Sequence, residues 1–243
     1  MKWKTQKRWE RPGDPDSWRR EYDLYRSGFG ELFSETLSWP KCYAAKDNGE
    51  EIQLRMADVD GVSGRQLSID QLEQAAMELG RFQGRLMTKS DDLQRIRCLG
   101  ATDFMQREFV QWHSQTHSYE YLVSDTCRLP SNIKRMLTDL DVHRDTVFRD
   151  LGKLPVVPCH RDFWIENIFW TDGKVILIDW DTAGWGYIGE DMASLVVDEI
   201  RPDQIGPYYR RIVQEYMLAE SVDAKQEKED TLQRIYELHG RMT

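Results

Sequence analysis

Asp162, Asn167 and Asp179 are the residues whose types and spacing could do chemistry. Asp162 and Asn167 stand five apart in His160-Arg161-Asp162-Phe163-Trp164-Ile165-Glu166-Asn167. Asp179 follows twelve residues later, where the apolar run Val175-Ile176-Leu177-Ile178 ends in Asp179-Trp180-Asp181. A carboxylate that orients an attacking hydroxyl and takes its proton, with an amide oxygen and a second carboxylate that hold Mg²⁺, is the set that phosphoryl transfer needs. The bland reading makes Asp162 and Asn167 turn formers and Asp179 a surface acid. It does not explain why these residues interrupt Phe163, Trp164, Ile165, Ile168, Phe169 and Trp170. Acids in such surroundings need partners, and metal ions are suitable ones.

The elements that must position this set are legible around it. Asn167–Trp170 and Lys174–Ile178 flank the turn Thr171-Asp172-Gly173 and predict a hairpin. Pro155 and Pro158 break the chain just before the catalytic stretch. Upstream, residues 1–9 read as an edge strand. Arg11–Pro15 reads as a turn, and residues 16–27 as a helix capped by Asp16 or Ser17. Lys41–Ala45 and Ile52–Met56 form a hairpin around Asp47-Asn48-Gly49, and residues 57–64 suit a linker. The clearest helix is 70–87, with Leu72, Ala75, Ala76, Leu79, Phe82 and Leu86 at 3.6 periodicity and Asp70 with Glu73 close to a capping box. Further helices are expected over 102–123, 131–149 (capped by Ser131), 190–200, 206–219 and 224–239.

The bulk numbers narrow the class. With 243 residues, 40% hydrophobic and 31% charged, the chain suits one large domain or two modest lobes. A net charge of −9 argues against a nucleic-acid-binding surface. Cys42, Cys98, Cys127 and Cys159 lie far apart and suggest neither a zinc site nor a disulfide framework. The absence of an apolar leader or a membrane-length run makes a cytoplasmic location the expectation.

The order His-x-Asp, four residues, Asn, then Asp after a short hairpin is that of the kinase signature. Together with Gly189-Glu190-Asp191-Met192-Ala193, these stretches resemble the aminoglycoside phosphotransferase and choline kinase-like family of small-molecule kinases. Trp18-Arg19-Arg20-Glu21 resembles the family helix whose Glu pairs with a phosphate-binding Lys. Leu54–Asp60 resembles the hinge strand that bonds adenine, and Leu79-Gly80-Arg81-Phe82 resembles the helix leading into the C-lobe. The likeness spans about residues 2–200.

The resemblance implies an α+β, protein kinase-like two-lobe fold. Residues 1–60 would be a truncated, small β-containing N-lobe with hinge, and 61–243 a mostly helical C-lobe. It implies ATP and Mg²⁺ as cofactors and a hydroxylated small molecule as partner, with no nucleic acid or membrane. Asp162 would be the catalytic base, and Asn167 and Asp179 the Mg²⁺ ligands. His160 would brace the loop, and Asp191 would anchor it from below. Asp181 would bind metal through water or cap a turn. Glu21 would pair with Lys4, which is preferred over Lys2 because Lys2 is almost at the terminus. Met56 and Asp58 would lie at the nucleotide.

Two departures bear on this. The family's usual residue at Arg161 is Gly, whereas many protein kinases carry Arg there. The short span from Asp179 to Gly189 leaves little room for a peptide-positioning loop, so a small acceptor is expected. No glycine precedes Gly13, so the Gly-rich loop is missing and a non-catalytic pseudokinase is the rival reading. Gly184-Trp185-Gly186-Tyr187-Ile188-Gly189 matches the dinucleotide fingerprint, but Glu190 and Asp191 would repel a pyrophosphate. Trp164, Trp170, Trp180 and Trp185 suit core packing or an aromatic box for a quaternary amine.

Overall fold

The protein is described from a computed structural model covering residues 2–9, 11–87, 93, 96–115, 118–197 and 205–219. The helix expected over 224–239 lies outside the described residues.

The N-terminal part is a three-stranded antiparallel sheet. Its strands are β1 (Lys2–Lys7), β3 (Cys42–Asp47) and β4 (Glu51–Met56), in the order β1-β4-β3. The β3–β4 turn works as its Asp-Asn-Gly sequence predicts: Gly49 takes φ 89°, and the Asp47 carboxylate accepts its N–H at 2.8 Å. The helix α1 (Arg20–Arg26) packs on this sheet, where Trp18 and Tyr22 meet Ile52 and Leu54 in a small core of their own. Neither Asp16 nor Ser17 caps α1 directly, because a 3-10 turn over Ser17–Arg19 intervenes.

The larger core sits below. Its spine is α2 (Ile69–Met87), whose predicted stripe from Leu72 to Leu86 is buried throughout. The capping box is Ser68 with Gln71 rather than Asp70 with Glu73. Ser68 Oγ accepts the Gln71 N–H at 3.3 Å, and Gln71 Oε1 accepts the Ser68 N–H at 2.8 Å. Because the helix starts at Ile69, Asp70 falls in its first turn, too late to cap.

A second sheet runs β2-β8-β7-β5, with β2 (Leu37–Ser38), β5 (Val62–Ser63), β7 (Ile168–Thr171) and β8 (Lys174–Leu177). The β7–β8 hairpin is the one expected. The expected linker over 57–64 is partly strand, because β7 offers Val62 and Ser63 an open ladder. A third sheet pairs β6 (Val156–Cys159) with β9 (Gly184–Tyr187). Pro158 lies within β6 rather than breaking it, and is tolerated because β6 has one strand neighbour in this sheet.

Between α2 and β6 lie the two expected long helices; residues 116 and 117 of the first are outside the described residues, and the second is divided. Residues 102–123 give α3 (Phe104–Gln115) and α4 (Ser118–Val123). Residues 131–149 give α5 (Ser131–Val142) and α6 (Arg144–Leu151). That division is at His143, whose backbone (φ −101°, ψ 10°) leaves the helical region, and no side chain caps α5. After β9 come α7 (Glu190–Val197) and α8 (Ile205–Ala219), the latter packed along α2. Within the described residues, no helix is long and apolar enough to cross a membrane.

Candidate active site

The loop from His160 to Asn167 is built on a buried anchor. Asp191, in the first turn of α7, accepts the His160 N–H at 3.0 Å and the Arg161 N–H at 2.7 Å. Its burial pushes its pKa upward, and those donated N–H groups oppose the shift. Gln83 completes the anchor, donating to Asp191 at 2.9 Å and to the Pro158 carbonyl at 3.1 Å. Tyr216 in turn donates to the Gln83 side-chain oxygen. Gln83 was not singled out from sequence. Its signal is a polar residue on the apolar stripe of α2, four after Leu79 and three before Leu86.

His160 is 1% exposed, and its ring stacks edge-on against Trp180 at 4.4 Å. Nε2 lies 2.9 Å from the Ile178 carbonyl, and Nδ1 lies 3.3 Å from the Asp162 N–H. These partners assign the proton to Nε2, with Nδ1 as acceptor. Burial brings its pKa down to about 4, so the ring is neutral at pH 7.

Asn167 closes the loop. Its amide nitrogen donates to the Asp162 carbonyl at 2.9 Å and to the Asp162 carboxylate at 2.7 Å. Its own carbonyl accepts the Ile178 N–H at 3.1 Å, extending the β7–β8 ladder and setting Asn167 beside the strand end that carries Asp179. Asp179 has φ 66°, a left-handed conformation that costs a non-glycine residue about 1–3 kcal/mol and is concentrated at functional sites.

Lys4 arrives from β1. It contacts Glu21 at 2.6 Å and also touches the Asp179 carboxylate. Burial pulls its pKa down, but the two carboxylates outweigh this and raise it, so Lys4 stays charged. Glu21 is raised as well, by burial, against the pull of Lys4. Both directions follow from one lysine serving two acids, one of them 2% exposed. Asp181 is raised by burial and then by the neighbouring Asp179 charge.

Of the eight residues predicted at the site, Lys4, Glu21 and Asp179 form one contact group, and His160, Asp162 and Asn167 another. The two groups join through Ile178, whose carbonyl meets His160 and whose N–H meets Asn167. Met56 and Asp58 form a third group around Lys2: Met56 pairs with Lys2 in the β1–β4 register, and Asp58 ion-pairs with Lys2 at 3.1 Å. Asn167 and Asp179 offer an amide oxygen and a carboxylate, hard donors of the kind Mg²⁺ takes when phosphates and waters fill its remaining positions. That donor set fits the ion better than a protein cage would. Among the described residues there is no cluster of three or more His, Cys, Asp or Glu able to hold a metal alone.

The contacts of two arginines were not foreseen from sequence. Arg20 is 3% exposed and holds Asp14 through two bonds, at 3.0 and 2.5 Å. The Arg161 side chain is fully buried beside Glu190 at 3.2 Å. Its backbone φ of 66° accounts for a glycine being usual there. The fingerprint-like glycines serve packing. A Cβ at Gly184 would strike Arg161, and one at Gly186 would strike Glu190 and Cys159. Trp180 is a core residue, while Trp164, Trp170 and Trp185 are half-buried.

The family described as "Phosphotransferase enzyme family" matches residues 8–228. No curated protein matches the chain by sequence. Among solved structures, a microcompartment-associated aminopropanol kinase superposes with a TM-score of 0.56 at 13% identity, over 91% of this chain and 70% of that one. The streptomycin–ATP–APH(2″)-IIa ternary complex gives 0.53 at 16% identity, over 93% and 73%. Choline kinase from Cryptosporidium parvum Iowa II gives 0.51 at 14% identity, over 82% and 61%. The chain thus spans about three fifths to three quarters of the length of these structures. At such identities the likeness is one of fold. With the family match across most of its length, the chain belongs to the phosphotransferase enzyme family, on a protein kinase-like fold.

Proposed function

We propose that the protein is a small-molecule kinase that transfers the γ-phosphoryl group of ATP to a hydroxyl of an aminoglycoside-, choline- or sugar-like acceptor. The observation that carries this is the double contact of Lys4 with Glu21 and Asp179, beside a loop in which Asn167 holds Asp162. Asp162 takes the proton of the acceptor hydroxyl. His160 braces the loop through two backbone contacts and stays neutral. Asn167 commits its amide nitrogen to Asp162, which leaves its amide oxygen, with the Asp179 carboxylate, as the donor pair for Mg²⁺. Bound there, Mg²⁺ supplies charge neutralisation for the triphosphate. Lys4, positioned by Glu21, meets the phosphates, and the backbone near Met56 and Asp58 meets adenine. Residues 1–60 serve as N-lobe and hinge, and residues 61–243 as the acceptor-binding part, in the cytoplasm. The structural relatives support the acceptor range: the aminopropanol, streptomycin and choline of their names are all hydroxylated amines.

The test is Mg²⁺-dependent ATP consumption, screened across aminoglycosides, choline and ethanolamine, amino-alcohols and amino-sugars, with Asp162→Asn as control. Turnover with one acceptor class, abolished in the variant while nucleotide still binds, is expected. Unchanged turnover in Asp162→Asn removes the mechanism. Nucleotide binding with no turnover on any acceptor favours a binding module instead.

A further inference from the structure

Arg20 and Arg161 each immediately precede a residue of the proposed machinery, Glu21 and Asp162. Both reach the same short segment. Arg20 Nε donates to the Cys98 carbonyl at 3.0 Å, and its Nη1 donates to the Asp181 carbonyl at 3.1 Å. Arg161 Nη2 donates to the Ala101 carbonyl at 2.7 Å and also to the Trp185 carbonyl. Between them, Gly100 bonds β9 and its approach: its N–H meets the Ala183 carbonyl at 3.1 Å, and its carbonyl accepts the Trp185 N–H at 2.9 Å. A Cβ at Gly100 would lie 3.0 Å from the Arg161 guanidinium and 3.3 Å from that of Arg20. The far sides are also held. Asp14 grips Arg20, Phe104 lies 4.6 Å under Arg161, and Glu190 pairs with Arg161.

We propose that Arg20, Arg161 and the Cys98–Ala101 segment form a clamp that sets α1 and the catalytic loop in one relative position. Arg20 and Arg161 are then positioning residues for Glu21 and Asp162. A free pair of buried arginines would be costly, because each guanidinium carries five N–H donors and a charge that must be met. Beside its Asp14 pair, Arg20 donates to carbonyls of two chain segments; beside Glu190, Arg161 does so through Nη2, while its Nε and Nη1 make no hydrogen bond. That choice links elements far apart in sequence. It also explains why a left-handed position, which glycine would occupy without strain, carries an arginine: the side chain supplies a tie that glycine cannot. The clamp rests on the proposed kinase reading only for its effect on turnover.

The test uses Arg161→Gly and Arg20→Met in the full chain. Hydrogen exchange is read first. Arg161→Gly is expected to speed exchange in α1, which it does not touch, and Arg20→Met to speed exchange in the loop from His160 to Asn167. Acceleration confined to each arginine's own contacts overturns the clamp. Kinetics are read second. With the acceptor found active above, Arg161→Gly is expected to lower kcat and to raise the nucleotide KM, each by roughly tenfold or more. Guanidine at about 10 mM, entering the vacated guanidinium site between Ala101, Trp185 and Glu190, is expected to restore part of both. A kcat loss with unchanged nucleotide KM and no rescue overturns it. If the wild type turns over no acceptor, the kinase reading fails while the exchange result still decides the clamp.

Discussion

The amide nitrogen of Asn167 lies 2.7 Å from the carboxylate of Asp162 and 2.9 Å from its carbonyl, so one side chain sets both the backbone and the acid of the residue five positions earlier. Substituting Asn167→Asp puts a carboxylate against a carboxylate. Repulsion should turn Asp162 away and raise its proton affinity. Turnover is expected to fall by about a hundredfold or more, with the fold retained. Circular dichroism beside steady-state kinetics checks this.

Lys4→Met removes the cation shared by Glu21 and Asp179. Glu21, 2% exposed, then has no cation against it, and its already raised pKa should rise further. A carboxylate whose folded pKa is raised binds protons more tightly folded than unfolded. Its contribution is therefore favourable at low pH and is lost as pH climbs above the ordinary value near 4.5. The variant should be close to wild type at pH 4.5 and less stable by about 1–3 kcal/mol at pH 8, read by urea denaturation. Equal gaps at both pH values would contradict the assignment.

Two buried groups should titrate in opposition. Burial lowers His160 from 6.5 to about 4. The unfolded chain then binds that proton more readily, and stability falls as pH drops from 6.5 towards 4. Burial raises Glu190 from 4.5 to about 7, aided by Asp191 and opposed by Arg161. Stability then falls as pH rises from 4.5 towards 7. Each contribution is on the order of 3 kcal/mol, and the two nearly cancel between 4.5 and 6.5. Because the other titrating groups are common to both proteins, the stability of Glu190→Gln relative to the wild type should rise steadily with pH across that window. Denaturation at half-unit pH steps measures it.

Gly80 marks a close approach of α2 and α8, since a Cβ there would run into the Tyr216 carbonyl. Gly80→Ala should cost about 1–3 kcal/mol by overpacking, despite alanine's better helix propensity. A thermal melt showing stabilisation would mean that the helices can separate freely.

How much was legible follows from what each residue depends on. The stripe of α2 and the β3–β4 and β7–β8 turns are local patterns, and they were read correctly. The loop stood out because Asp162 and Asn167 interrupt an apolar stretch. Lys4 rested on a spacing to Glu21 and a resemblance, and the contact between them could not be read locally. Arg161 stood out only as a departure from the family's glycine and Arg20 only as part of a family-like stretch, because nothing near them in sequence shows that carbonyls of Cys98, Ala101, Asp181 and Trp185 converge on them. The cap on α2 was misplaced because Asp70 with Glu73 has the same spacing as Ser68 with Gln71, and the helix starts two residues earlier than that pair suggests.

β1 is an edge strand, bonded within its sheet to β4 alone. Lys4 sits midway along that one ladder, opposite Leu54. An edge strand of six residues opens more readily than the core beneath it. Whenever β1 peels away, Asp179 and Glu21 lose their shared cation together. If Lys4 acts as proposed above, the fraction of molecules ready to act at any instant is the fraction in which one short zipper is closed, so events at the rim of the sheet set the occupancy of its centre.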